Sequence, residues 1–332
     1  MADFSTRRRQ RFISEEYFEW LSNFHIKSIE EWKHTLPANG TEETKRAIAA
    51  SWRAKEQFEL MLLRYTAGEP IESMPHELEI VVAAYEEYAV LQRVARDDKQ
   101  WPVFLLNELA DYERTVQLIG LCHLLHRRDL LPRIAALEDG VYRAQDSLYE
   151  DLLAYGVEGR VDVDQWYHEL YRDCINSIYG DTDEESLADL DAYLEQWYGS
   201  MKLAPWHDAH LDLSESGGAY FGYWAIEAAA VAYLRELDDT CLRHHLVYPK
   251  DLVDFAREVG NRTPTLPVSP GESVSAVRTG QVCPETGIWK ASGHNVPGVM
   301  VNKGERMPDV FAPDKSGAYR QQPALWEFDR KA

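Results

Sequence analysis

The 332-residue chain reads as mainly α: an antiparallel helical bundle followed by a small C-terminal β-rich module. Three observations predict this. Apolar residues keep helical spacing through the first 260 positions, prolines crowd into 263–271, and short apolar runs broken by glycine and proline follow. These changes divide the chain into an N-terminal helical half (1–130), a second helical domain (131–260), a linker (261–274) and a β-rich module (275–332).

The first helix carries Phe12, Tyr17, Trp20, Leu21 and Phe24 at three- and four-residue steps, with Ser14 and Glu15-Glu16 supplying a helix start. A second opens at Thr41-Glu42-Glu43 and runs through Trp52, Phe58, Leu62 and Leu63. Pro75 opens a third, with Leu78, Val81, Val82, Tyr85, Tyr88 and Leu91, and Trp101-Pro102 a fourth that reaches Leu125. The pattern then predicts helices over 132–155, 164–178 and 183–198, the last presenting Leu187, Leu190, Leu194 and Trp197 on one side. The segment 220–234 is apolar on all sides, which marks a buried helix, and Ala228-Ala229-Ala230 would let its neighbours approach closely. A last helix opens at Tyr248-Pro249-Lys250 and ends near Gly260.

The linker is recognised by Pro264, Pro267, Pro270 and Gly271, which predict a boundary that few contacts cross. Beyond it Gly280, Gly287, Gly293, Gly298, Gly304 and Gly317, with Pro284, Pro297, Pro308 and Pro313, punctuate runs such as 298–301 and 324–328, the pattern of short strands.

Basic residues near the N-terminus, Arg7, Arg8, Arg9 and Arg11, precede no apolar core of a signal peptide and read as a frayed arm. No run approaches the roughly eighteen apolar residues of a membrane span. A cytoplasmic protein without membrane contact is the expectation. Cys122, Cys174, Cys241 and Cys283 are dispersed with no CxxC pair, so mostly buried free thiols are expected rather than a disulfide framework or a zinc ribbon.

The net charge of −21 is unevenly placed. Residues 1–135 hold 22 acids and 18 bases, residues 136–260 hold 27 and 8, and residues 261–332 hold 7 and 9. A region so unbalanced repels itself, and a basic partner would relieve that repulsion. Like charge opposes direct nucleic-acid binding by this surface, whereas a protein that itself binds nucleic acid is a natural counterpart.

The segment Trp206-His207-Asp208-Ala209-His210-Leu211-Asp212 offers two imidazoles and two carboxylates, but a complete metal site needs further ligands. No metal and no cofactor are therefore expected in the protein; a hydrogen-bonded loop is the structural alternative for this segment. Glu227, inside the apolar helix, must be neutralised, paired or hydrogen-bonded, and a histidine or arginine of the same domain is the expected partner, with His244-His245 a possible source. The run Asp181, Asp183, Glu184, Glu185, Asp189, Asp191 and Glu195 reads both as a solvated helix start and as a docking edge. No Walker loop, dinucleotide-binding glycine motif or nucleophile elbow is present.

Four blocks carry a resemblance: 193–198 (YLEQWY), 206–210 (WHDAH), 218–232 (GAYFGYWAIEAAAVA) and 248–257 (YPKDLVDFAR). They resemble the C-terminal domain of PoNi proteins, the immunity family paired with PoNe nucleases. Residues 1–130 look like its more variable helical partner half. Residues 278–289 and 304–308 are similar to a short module appended to other toxin-immunity proteins, a departure from the simplest PoNi plan. The resemblance implies a non-enzymatic, all-helical protein that protects its producer by binding a toxin of a type VI secretion or polymorphic toxin system.

Both lines lead to one expectation, an acidic protein that neutralises a nuclease toxin through its surface. Candidate toxin-binding residues are Asp181, Asp183, Glu184, Glu185, Asp189, Asp208, Asp212, Glu215, Asp238 and Asp239; Trp206, His207, His210, Tyr220, Trp224 and Glu227 are the structural motif. The alternatives are a metal-dependent helical hydrolase using His207, Asp208, His210, Asp212 and Glu227, or an acidic adaptor.

Overall fold

Why the helices begin where they do is visible in their caps. The computed structural model describes residues 3–262, 277–292, 297–313 and 319–331; from residue 263 onward the expected linker lies outside the described residues, as do Gly293 and Gly317. Ser14, Thr41 and Thr182 each accept from the backbone N–H three residues on, at 3.2 Å, starting α2 (Glu15–Glu31), α3 (Glu42–Thr66) and α9 (Asp183–Ser200) after the short α1 (Phe4–Arg7). Pro75 and Pro132 sit in the first turns of α4 (Met74–Arg96) and α6 (Leu131–Tyr142), where a missing N–H is harmless. The remaining helices are α5 (Leu109–Leu124), α7 (Ser147–Ala154), α8 (Arg172–Tyr179), α10 (Ile226–Leu234) and α11 (Lys250–Arg262). Among the described residues no helix is long and apolar enough to cross a membrane.

One hydrophobic core runs through the helices, from Phe4 and Tyr17 to Leu252 and Ala256. At its centre lies α10, whose residues from Ile226 to Ala232 are all buried. It crosses α5 at Gly120, where an added Cβ would stand 3.1 Å from Ile226 Cγ2 and 3.3 Å from Ala230 Cβ. The alanine stretch and this glycine together permit the close approach that the sequence predicts.

Four helix expectations are corrected, the simplest being the fourth helix, which begins at Leu109 and not at Trp101-Pro102. The span 220–234 is helical only from Ile226, because side chains of the N-terminal half satisfy the preceding backbone instead. Gln10 Oε1 accepts from Tyr223 N at 2.9 Å, Tyr17 Oη both accepts from Tyr220 N and donates to Tyr220 O, and Thr66 Oγ1 donates to Phe221 O at 2.6 Å. Gly222, at φ +126°, completes this extended path, since a Cβ there would meet Thr66 Oγ1 at 2.2 Å. The span 132–155 breaks into α6 and α7 because Ala144 turns left-handed and Asp146 caps Tyr149 N at 3.0 Å. The span 164–178 shrinks to α8 after a single turn at Glu169–Tyr171. The arginine arm also proves to be a clasp: Arg9 donates to the carbonyls of Tyr65 and Glu69 and to Asp251 Oδ2 at 2.8 Å.

The C-terminal module is a four-stranded antiparallel sheet in the order β1-β6-β2-β3, from β1 (Val277–Arg278), β2 (Gly287–Ala291), β3 (Val299–Val301) and β6 (Leu325–Arg330). A hairpin of β4 (Val310–Pro313) and β5 (Tyr319–Gln322) accompanies it. Its core is separate and small, built on Trp289 and Trp326 with Cys283, Val301 and Met307. Cys122, Cys174 and Cys283 are buried free thiols, and Cys241 is exposed.

Candidate functional site

The acidic half keeps many of its carboxylates inside. Arg160 Nε and Nη2 grip Glu150 at 2.7 and 2.6 Å, and Arg160 Nη1 reaches Asp139 at 2.7 Å. Asp146 accepts from Tyr112 Oη, Tyr149 N and Tyr167 N, and Asp151 from Tyr179 Oη at 2.7 Å. Burial pushes the Asp151 carboxyl up to about 7 despite those donors. Six of the 27 acids between 136 and 260 are buried (Glu138, Asp146, Glu150, Asp151, Glu227 and Asp239), against two of the 8 bases (Arg160 and Arg235). The better-exposed remainder, 21 acids and 6 bases, is still strongly acidic.

Glu227 has neither of its expected partners. Its Oε1 accepts from Tyr193 Oη at 2.6 Å and Trp197 Nε1 at 3.0 Å, both from α9, and Oε2 has no partner. Desolvation raises the carboxyl to about 7, so neutral hydrogen-bond donors suffice where a counter-ion was expected. His245 instead meets Asp191 at 2.7 Å. Nearby Glu113, raised to about 8 by burial, accepts from Trp206 Nε1 at 2.7 Å and Gln117 Nε2 at 3.0 Å.

The His207–Asp212 segment folds as a loop leaning on aromatic rings. Trp206 stacks on Trp197 with centroids 5.3 Å apart, His207 stacks on Tyr198 at 4.4 Å, and His210 Nδ1 lies 2.8 Å from Tyr223 Oη. Asp208, left-handed at φ 62°, accepts from Tyr198 Oη at 2.6 Å, which holds its carboxyl below the usual range. Tyr220 and Trp224 are buried, Trp224 Nε1 donating to Thr66 Oγ1 at 2.8 Å. Of the residues in the hydrolase alternative, His207 and Asp208 share Tyr198 and stand 3.2 Å apart and His210 meets Tyr223, whereas Glu227 bonds Tyr193 and Trp197 and does not join them. Two large apolar side chains of the same loop point to solvent instead, Leu203 at 88% exposure and Leu211 at 68%. Neither was singled out from the sequence; leucines inside a Pro/His/Asp-rich loop, off any helical spacing, were the available signal.

The predicted docking residues separate into groups. Asp239 is 1% exposed and holds Arg257, Arg243 and Tyr248, so it offers no surface to a partner. Asp238 caps the turn Asp239–Leu242 through Thr240. At the start of α9, Glu185 accepts from Asp181 N at 3.0 Å, and Asp183 pairs with Arg306 of the C-terminal module. That module also places Arg278 against Asp162 and, at 3.6 Å, Asp151. Asp189 is half-buried. Glu184, Asp212 and Glu215 are exposed and make no ion pair among the described residues, and Asp212 and Glu215 follow the exposed Leu211 in the chain.

The described residues define a class of fold, a mainly helical body built on one core with a small antiparallel β module. Two family models cover most of that body: "PoNe immunity protein (PoNi), N-terminal" over residues 9–136 and "PoNe immunity proteins (PoNi), C-terminal" over residues 144–252. The chain belongs to the PoNe immunity protein family, which implies an immunity function against a nuclease toxin. Among solved structures it is similar to the crystal structure of protein PA2201 from Pseudomonas aeruginosa, with a TM-score of 0.61 and 21% identity over 76% of this chain and 92% of that one, a likeness of fold. No curated protein matches.

Proposed function

We propose that this chain is a cytoplasmic, non-enzymatic immunity protein that binds a nuclease toxin of a type VI secretion or polymorphic toxin system and blocks its access to DNA. The match of both helical halves to the family carries this reading. A nuclease needs a basic cleft for phosphate, and an acidic surface associates with such a cleft quickly and excludes its substrate without chemistry. The docking centre we favour is the loop from Leu203 to Glu215. Its exposed leucines offer apolar area for a partner to desolvate, and Asp208, Asp212 and Glu215 in the same loop supply carboxylates for a basic surface. The edge at Asp181–Glu185 is the weaker candidate because Asp183 already holds Arg306.

The test titrates the purified chain against the nuclease encoded beside it while DNA cleavage and binding kinetics are followed. Stoichiometric inhibition is expected, with at least tenfold weaker binding for the double variant Leu203→Ser/Leu211→Ser, mainly through faster dissociation. Asp212→Asn/Glu215→Gln should slow association at low salt more than neutralising Asp181, Asp183, Glu184 and Glu185 does. Uninhibited cleavage at excess immunity protein would overturn the function, and wild-type binding by the leucine variant would move the docking centre elsewhere.

A further inference from the structure

Two groups of side chains among the described residues bring three metal-ligating atoms together, and neither was assembled by the sequence reading. One is the buried set His25, Glu56 and Glu59. There the Lys55 ammonium lies 2.9 Å from Glu59, and His25 is already paired with Glu56, so the charges balance internally. The other set, Asp191, His244 and His245, is open to solvent and differently organised.

Asp191 projects from α9, and the two histidines follow the turn Asp239–Leu242. One ligand atom from each of the three residues lies within 4.8 Å of the others. His245 Nε2 is 2.7 Å from Asp191 Oδ1, and the two imidazole rings lie 4.0 Å apart at 37°. His244 Nδ1 is 2.7 Å from the Cys241 carbonyl, which can only accept, so Nδ1 carries the proton and Nε2 keeps its lone pair. Orientation of a ligating imidazole by hydrogen bonding through its other nitrogen is the usual support of a metal ligand. The neighbouring cation is also drawn away: Arg243 pairs with Asp254 at 2.6 Å and Asp239 at 3.1 Å.

We propose that Asp191, His244 and His245 form a binding site for a divalent transition-metal ion of the zinc class. Two imidazoles and one carboxylate suit zinc, cobalt, nickel or ferrous iron, and three protein ligands leave a further position to solvent. The ion takes the place of the proton between His245 and Asp191: the neutral imidazole ligates through Nε2 and carries its one proton on Nδ1, so its charge is unchanged. Zinc bonds of about 2.1 Å place tetrahedral donors roughly 3.4 Å apart, within reach of small rotamer changes from the present spacing. The site does not depend on the toxin-binding reading.

The test uses the full-length chain, stripped with chelator and dialysed against graded zinc, with metal per chain measured by elemental analysis, and repeats it with cobalt to read ligand-field absorption. One saturable equivalent per chain is expected. His244→Ala and Asp191→Asn should each weaken uptake at least tenfold and alter the cobalt spectrum, while His207→Ala/His210→Ala should leave both unchanged. His244 is exposed, so its removal leaves the fold intact, and circular dichroism checks this. The proposal is overturned if the wild type shows no saturable uptake, if both single variants bind as the wild type does, or if only the His207/His210 variant loses the metal.

Discussion

The acidic half of the body and the C-terminal module use charge in opposite ways. Between 136 and 260, carboxylates such as Glu150, Asp146 and Asp151 are interior struts, each held by an arginine, tyrosine or backbone donor inside a core shared with the N-terminal half. In the module, whose core is far smaller, Arg278 and Arg306 reach outward to aspartates of the body. A large core can absorb the desolvation of buried ions; a small one cannot, and its arginines are met at the boundary with the body, where the Arg278 side chain is 12% exposed and that of Arg306 29%. A charge count along a sequence is therefore not a map of surface charge.

The contrast is broken hardest by removing one strut. Arg160→Ala leaves Glu150 buried and unpaired, and a loss of about 3–5 kcal/mol is expected in denaturant unfolding of the whole helical body. Trp289→Ala removes a comparable amount, roughly 3–5 kcal/mol, but only from the module. Near-ultraviolet signals of the module should disappear while helical circular dichroism persists. A common unfolding transition for both variants would show that body and module fold as one unit.

A smaller effect separates the struts that carry a proton from those that do not. Burial holds the folded carboxyl of Glu227 at about 7, above its ordinary 4.5, so the native state binds the proton more tightly than the unfolded chain does. Its stabilising contribution is complete below about pH 4.5 and is lost as the pH rises through 7; Asp151, also at about 7, acts in the same direction. Stability should fall across that window, by at most about 1.4 kcal/mol per pH unit for each such group. Glu227→Gln should flatten the slope. An unchanged slope in thermal unfolding between about pH 5 and pH 8 would place the proton elsewhere.

The smallest effect is expected where the two regions meet. Arg306 and Asp183 are partly exposed, so Arg306→Ala should change global stability by less than about 1 kcal/mol, with Arg278→Ala somewhat larger because its partner Asp151 is buried. Amide exchange in β1 and β6 should quicken in both variants while exchange in α5 and α10 stays slow. Protection of the strands identical to wild type would mean that the arginine contacts do not hold the module.

What the sequence determined by itself is what local chemistry decides. Ser14, Thr41 and Pro75 start helices because caps and first-turn prolines act within a few residues, and the apolar run ending in Ala228-Ala229-Ala230 had to be interior because no face of it is polar. The change from helical spacing to glycine-punctuated runs announced the separate β module for the same reason, and long matching blocks pointed to the immunity family. Only the tertiary structure decided which acids face water, what holds Glu227, that Gln10 and Thr66 unwind 220–225, and that Asp191 meets His244 and His245. Those outcomes depend on partners tens to hundreds of residues away, and burial, which sets both the energy of a carboxylate and its availability to a partner, is a property of the packed chain rather than of any window along it.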